Sequence, residues 1–364
     1  MPPPDPIAAP RRIERADASR ADEVTPILRA AFQETWPPVS TEATPLEYAT
    51  WKMTGPPGAP AHPHTLVVED NELVAVELRW LAWAHVGNEL FPFDRGVDLA
   101  VLPDHQGRGL ARAIFDDDFD RNTPLGNFLR WDTPSADARV LHLEEGDFAY
   151  RQLRSWVRAF QARTFVGVHR RAGIAHLARA LAGAVVGRLR RSPPAPGYRL
   201  EPLVSFDERT DALWDRCRVQ FDIARLRDAA LLNWRYFDQR GGAADVIAAF
   251  EGDRVVGYVA LKSEGDIGRI TELVVEPGAH AAATALLEDA STRLRAAGCR
   301  EAIAWLPPDH PEEIALRASS FIDDGNLRDV DLDYTWMSSA PAAVAIIRDP
   351  RARLHITMGD FDFV

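Results

Sequence analysis

At 364 residues the chain is longer than one hydrophobic core usually serves, so two domains of ordinary size are expected. Its composition, 46% hydrophobic and 26% charged, is that of a soluble globular protein, and no run approaches the roughly 18 uncharged apolar residues of a membrane span. A formal net charge of −12 argues against general binding to nucleic-acid phosphates, and the two cysteines, Cys217 and Cys299, form neither a disulfide framework nor a zinc pattern, which points to a reducing cytoplasm.

Residues 1–10 are proline-rich, lack a basic stretch followed by an apolar one, and read as a disordered leader. A strand is predicted from Arg11, and Val24, Ile27, Leu28, Ala31 and Phe32 have the three-to-four spacing of an amphipathic helix. Beyond a loop at 56–63, rich in proline and glycine, residues 65–70 and 73–78 predict a hairpin across Asn71. His62 and His64 flank Pro63 with no carboxylate or cysteine cluster to match, so they read as loop and no metal is expected. An apolar strand at 97–102, a turn at 103–109 and a helix at 110–119 follow. Then come a strand at 127–131, a helix at 136–144 and closing strands over 148–165.

The first domain therefore spans 11–168. Residues 169–197 hold a basic amphipathic helix and a proline-rich linker; a helix between domains is preferred there to one lying on a membrane. Residues 198–364 repeat the earlier plan. A helix is predicted over 206–221, residues 231–236 stand where 48–53 stood, a hairpin spans 246–261, and 271–277 parallels 98–103. Self-similarity at so long a period indicates two copies of one α/β fold. Trp51 and Trp234 read as core anchors of their copies.

A strand that ends in a glycine turn and opens a helix presents backbone N–H groups, with the positive end of the helix dipole, to an anion. Gln106-Gly107-Arg108-Gly109-Leu110-Ala111 has that context, and Arg108 and Arg112 add charge. Together with the preceding strand and Pro103, this segment resembles the coenzyme motif of the GNAT acetyltransferase superfamily, Q/R-x-x-G-x-G/A. The resemblance implies two tandem GNAT-like domains with mixed α+β sheets and acetyl-CoA as co-substrate. It puts the pyrophosphate on the amides of residues 106–111 and pairs the pantetheine arm with the main chain of Leu99, Ala100 and Val101. It further implies direct transfer of an acetyl or short acyl group to the amine of a small molecule. The alternatives are an acyl-CoA-binding module without catalysis and a protein N-acetyltransferase.

The family's thiolate-protonating tyrosine aligns with His142, its alanine with Ala138 and its asparagine with Ser135, but Gly146-Asp147-Phe148 carries one residue more than the usual G-F pair. A histidine can serve as that acid because it titrates near neutrality. Glu77 and Asp98 are the candidate general bases; strand acids at a sheet edge are otherwise solvated. Aligning Pro277 with Pro103 without a gap sets His280, Ala281, Ala282 and Ala283 on Gln106, Gly107, Arg108 and Gly109. The second copy is thus expected to be degenerate, with alanines in place of the glycines and an ordinary helix start.

Overall fold

The computed structural model describes residues 11–33, 36–59, 64–122, 128–133, 148–161, 197–324, 330–338 and 340–361. The first half runs β1 (Arg11–Ala16), α1 (Ala21–Phe32), α2 (Pro45–Thr54), β2 (His64–Glu69), β3 (Glu72–Val86), β4 (Glu89–Val101), α3 (Leu110–Asn122), β5 (Phe128–Asp132) and β6 (Phe148–Ala159). Local chemistry sets its boundaries. Thr44 and Glu47 form a reciprocal capping box at the start of α2. Asp70 and Asn71, at φ of 52° and 64°, supply the left-handed turn that a tight hairpin requires between β2 and β3.

The second half has the same order: β7 (Arg199–Pro202), α4 (Glu208–Cys217), β8 (Ile223–Arg225), α5 (Ala229–Tyr236), β9 (Asp245–Glu251), β10 (Arg254–Glu264), β11 (Ile267–Val275), α6 (His280–Ala296) and β12 (Glu301–Leu306). It closes with α7 (Glu313–Ala318), β13 (Ile322–Asp323), β14 (Val330–Met337), α8 (Pro341–Arg348) and β15 (Leu354–His355). Among the described residues no helix is long and apolar enough to cross a membrane.

The strand order is β1-β2-β3-β4-β5-β14-β6-β12-β11-β10-β9-β7. It reads nearly the same from either end, and each copy's last long strand crosses toward the other copy. β14 pairs antiparallel with both β5 and β6, and β6 also pairs antiparallel with β12. Hydrogen-bonded backbone therefore runs without a break from one copy into the other.

Packing joins the copies a second time. Trp51 and Trp234 lie at corresponding points of α2 and α5, with ring centroids 4.7 Å apart and an interplanar angle of 16°. Trp80 meets both edge-on. A Cβ on Gly241 would come within 2.3 Å of the Trp51 ring, so this glycine is what lets the segment after α5 close over the indole. Both tryptophans are buried, as core anchors should be, but they anchor the copies to each other.

Each copy contains a parallel pair that parts. β4 pairs with β5 only at Phe93–Leu129 and Asp94–Arg130, and β11 pairs with β12 only over residues 267–270. Past Asp94 no described strand takes the free edge of β4, while its other edge stays paired with β3 as far as Val101.

Candidate functional site

The turn after β4 is braced from within. The Leu102 amide donates to Val74 O at 2.9 Å, residues Pro103–His105 form one turn of 3-10 helix, and Gln106 Nε2 donates to Val101 O at 3.3 Å. Gly107 and Gly109 follow, with φ of 74° and 75°. A Cβ at either position would meet no atom within 4 Å, so the glycines face open space and are required by conformation instead of crowding. The first intrahelical bond of α3 runs from Ala113 N–H to Gly109 O at 3.0 Å. Amides ahead of it point out of the helix end, where the dipole favours negative charge.

Arg108, expected to lend charge to this turn, folds back onto it. Its guanidinium donates to Asp104 O at 2.8 Å and lies 3.8 Å from Glu69. Glu69 also binds Arg11 and His105, each at 3.2 Å, and Arg11 donates to the Arg108 carbonyl at 3.1 Å. Arg112 pairs with Asp116, one turn along α3, at 2.7 Å. These side chains hold the turn's shape while the anion-facing surface is left to backbone amides. Leu99, Ala100 and Val101 lie on the stretch of β4 beyond its pairing with β5, so their main chain borders the gap.

The two acids expected on strands are buried, not solvated, with exposures of 3% for Glu77 and 8% for Asp98. The ladder separates them. Glu77 stands opposite Leu99, which packs toward Leu110 and Ile114 of α3, whereas Asp98 stands opposite Leu78 on the face covered by α1 and α2. Glu77 belongs to a buried ionic cluster under α3. Arg79 bonds Glu77 at 3.0 Å and also contacts Asp94 and Asp118, while Arg130 reaches Asp94 at 3.1 Å and Asp118 at 2.5 Å. Burial, reinforced by Asp118, pushes the Glu77 pKa above the usual carboxylate range. On the other face, Asp98 Oδ2 accepts from Lys52 Nζ at 2.7 Å and from Trp36 Nε1 at 3.2 Å. Lys52 is fully buried, within cation–π range of Tyr48 and Trp80.

Sequence reasoning missed Lys52, Trp36 and the Arg79–Arg130 cluster, because each is defined by a partner distant in the chain. Asp118 carried a faint signal: within 116–118 it is the aspartate that the helical period turns inward. Ser135, Ala138, His142 and His62 lie outside the described residues. His64 is a buried member of β2 and not a loop residue; its Nδ1 accepts from Arg79 N–H and its Nε2 donates to Met53 O.

The second copy differs in a way that the gap-free alignment did not foresee. α6 begins at His280, three positions after Pro277, while α3 begins at Leu110, seven after Pro103. Ala281, Ala282 and Ala283 are thus already helical, and the last two are fully buried in the core. The glycine turn is shortened away, not rebuilt in alanine.

Between β11 and β12 the parting strands are sealed. Among the described residues, a void bordered by Ile270, Leu273, Ala304 and Thr357 there is about 10 Å³, scarcely one water. The seal is the segment 354–361. Gly359 packs so closely on Tyr236 and Thr271 that no Cβ fits, and Arg235 donates to Gly359 O at 3.0 Å and Phe361 O at 2.5 Å. Glu272, the counterpart of Asp98, is buried beneath it. Glu312 N–H donates to His310 Nδ1, which orients His310 Nε2–H toward His355 Nδ1 at 3.0 Å and His355 Nε2–H toward Glu272 Oε1 at 3.2 Å. Burial alone would raise the Glu272 pKa, but Arg227 and the His355 bond outweigh it and bring it to about 2.

Residues 206–318 match the acetyltransferase (GNAT) family model. No curated protein sequence matches the chain. Similar solved structures include a GCN5-related N-acetyltransferase from Kribbella flavida, 15% identical, with a TM-score of 0.60 over 93% of this chain and 74% of that one. A probable N-acyltransferase from Enterococcus faecalis V583, 10% identical, has a TM-score of 0.60 over 89% and 72%. Saccharomyces cerevisiae N-myristoyltransferase with bound myristoyl-CoA and inhibitors, 12% identical, has a TM-score of 0.56 over 93% and 82%. Residues 206–318 are thus a GNAT-family domain, and the chain carries the GNAT fold in two tandem copies. The family match falls on the second copy, whereas the glycine turn belongs to the first.

Proposed function

We propose that the protein transfers an acetyl or short acyl group from acyl-CoA to the amine of a small molecule, by direct attack, in its first copy. The observation that carries this reading is the turn at Gly107 and Gly109: two left-handed glycines face open space at a helix N-terminus, beside a strand edge that β5 has left. Amides of residues 106–111 fit a pyrophosphate there, and the edge at Leu99, Ala100 and Val101 fits an amide-bearing pantetheine arm. Attack of the amine on the thioester carbonyl expels the coenzyme's thiolate and leaves one proton to be taken from nitrogen. We assign that proton to Asp98, which lies on the α1–α2 face, and treat Glu77, beneath α3, as structural. His142 is the proposed proton donor to the thiolate.

The coenzyme domain is taken as 11–168 and its partner as 198–364, with the basic linker between them. A cytoplasmic setting fits two buried free cysteines, of which burial pushes the Cys217 thiol up to about 12. Release of free thiol from acetyl-CoA, followed across a panel of small amines, tests the reading. Saturable release with at least one amine is expected. Tight binding without turnover on any amine would favour a coenzyme-binding module instead.

A further inference from the structure

The far end of the coenzyme also has a place in the molecule. We propose that the cavity between the start of β1 and the β2–β3 turn holds the 3′-phosphorylated adenosine of coenzyme A, so that the first copy takes its acyl group from free acyl-CoA and not from the phosphopantetheine of a carrier protein. This deepens the acyl-transfer reading and rests on it.

The cavity measures about 420 Å³ and is lined by Arg11, Arg12, Val68, Asp70 and Asn71. That volume falls within the roughly 300–1,000 Å³ common to small-molecule sites. The lining is mixed in the way a nucleoside phosphate requires. Guanidinium groups suit the phosphate, a carboxylate and an amide suit the amine and ring nitrogens of a base, and Val68 adds an apolar contact. Asp70 and Asn71 are fixed in place by the left-handed turn, with φ of 52° and 64°. Asp70 is exposed, so solvent and salt screen its charge from the phosphate.

Contact joins this cavity to the glycine turn. Arg11 Nη2 donates to the Arg108 carbonyl at 3.1 Å. The Gly109 N–H belongs to the same peptide group, and in a trans peptide it points the opposite way from that carbonyl. One peptide group therefore separates the Arg11 guanidinium from an amide of the proposed pyrophosphate site. In coenzyme A the pyrophosphate and the 3′-phosphate are carried on one ribose, so an anion held by the turn brings its second phosphate beside Arg11.

Arg11 is prepared for that phosphate. It lies 3.2 Å and Arg108 3.8 Å from the same carboxylate, Glu69, so two guanidinium groups share one negative charge. Of the five N–H bonds of Arg11, the one on Nε goes to Glu69 and one on Nη2 goes to the turn; among the described residues Nη1 has no hydrogen-bond partner. Its side chain is 35% exposed, which leaves those donors within reach of a ligand. A guanidinium already ordered by the turn loses little further freedom when it binds phosphate.

The test is calorimetry on the full chain with acetyl-CoA, its 3′-dephospho form and acetyl-phosphopantetheine, run beside the thiol-release assay. Acetyl-CoA should bind about tenfold or more tightly than the dephospho form, and acetyl-phosphopantetheine should bind more weakly still. Arg11→Gln should bring the first two together by weakening acetyl-CoA alone. Equal affinity of the wild-type protein for acetyl-CoA and its dephospho form overturns the seat, whether or not the variant folds, as does acetyl-phosphopantetheine binding as tightly as acetyl-CoA. So does a variant in which both coenzymes weaken together with their ratio kept, because Arg11 would then only brace the turn. With thiol release intact, any of these overturns the seat alone. Discrimination of the 3′-phosphate without thiol release on any amine overturns the acyl-transfer reading and leaves a coenzyme site. No binding of acetyl-CoA overturns both.

Discussion

At the scale of single residues, the first copy depends on two glycines that no packing demands. Because Gly109 sits at φ 75° with open space before it, Gly109→Glu adds backbone strain, bulk and negative charge where the proposed pyrophosphate lies. Acetyl-CoA affinity should fall at least tenfold, about 1.4 kcal/mol, in calorimetry on a variant that still melts cooperatively. Unchanged affinity would place the coenzyme elsewhere. A second residue-scale expectation concerns Glu312, which is 5% exposed and has a carboxylate oxygen, Oε2, with no hydrogen-bond partner among the described residues. Burial raises its pKa to about 7, so the folded state favours the neutral acid. Stability from this group is complete below the unfolded pKa near 4.5 and is lost as pH rises through about 7. Glu312→Gln should therefore be more stable than wild type at pH 8, by about 1–3 kcal/mol, with the gap closing at pH 5. Parallel denaturation curves at the two pH values check it, and a gap that does not change with pH would be contrary.

At the scale of elements, the two copies differ in one turn and one tail. Seven positions separate Pro103 from the start of α3, but three separate Pro277 from the start of α6, and residues 354–361 close the gap between β11 and β12. Both changes remove the same site, since the helix start no longer faces outward through glycine and the strand edge no longer faces a cleft. Calorimetry should accordingly count one acetyl-CoA per chain. Two equivalent sites would mean that the tail of the second copy yields to the coenzyme. Glu272 illustrates what sealing does: in the position of Asp98 it is committed to Arg227, Tyr236 and His355.

At the scale of the whole molecule, the halves are two copies of one plan but not two independent bodies. β14 has both its neighbours, β5 and β6, in the first half, and β12 has β6 on one side. The fragment 198–364 alone would expose these edges together with the Trp234 face of α5 that stacks on Trp51. It should fail to give a cooperative melt, and co-expression with 1–197 should restore one. A monomeric fragment with its own sharp transition would show that the exchanged strands are dispensable.

The sequence by itself determined the α/β tandem, the hairpins at 65–78 and 246–261, and the strand, turn and helix around 106–111, because periodicity, turn residues and a glycine-lined helix start are local signals. It also carried the correspondence of Trp51 with Trp234 and of Asp98 with Glu272, since a repeat keeps its spacing. Only the tertiary structure decided which face of the sheet each strand acid occupies. Glu77 and Asp98 lie on adjacent strands, and a register offset of one residue sends their side chains to opposite sides. Nor could spacing reveal that β14 and β6 change places, or that the chain's last described residues fill the second copy. Those features join residues hundreds of positions apart, and long-range packing, not local pattern, selects them.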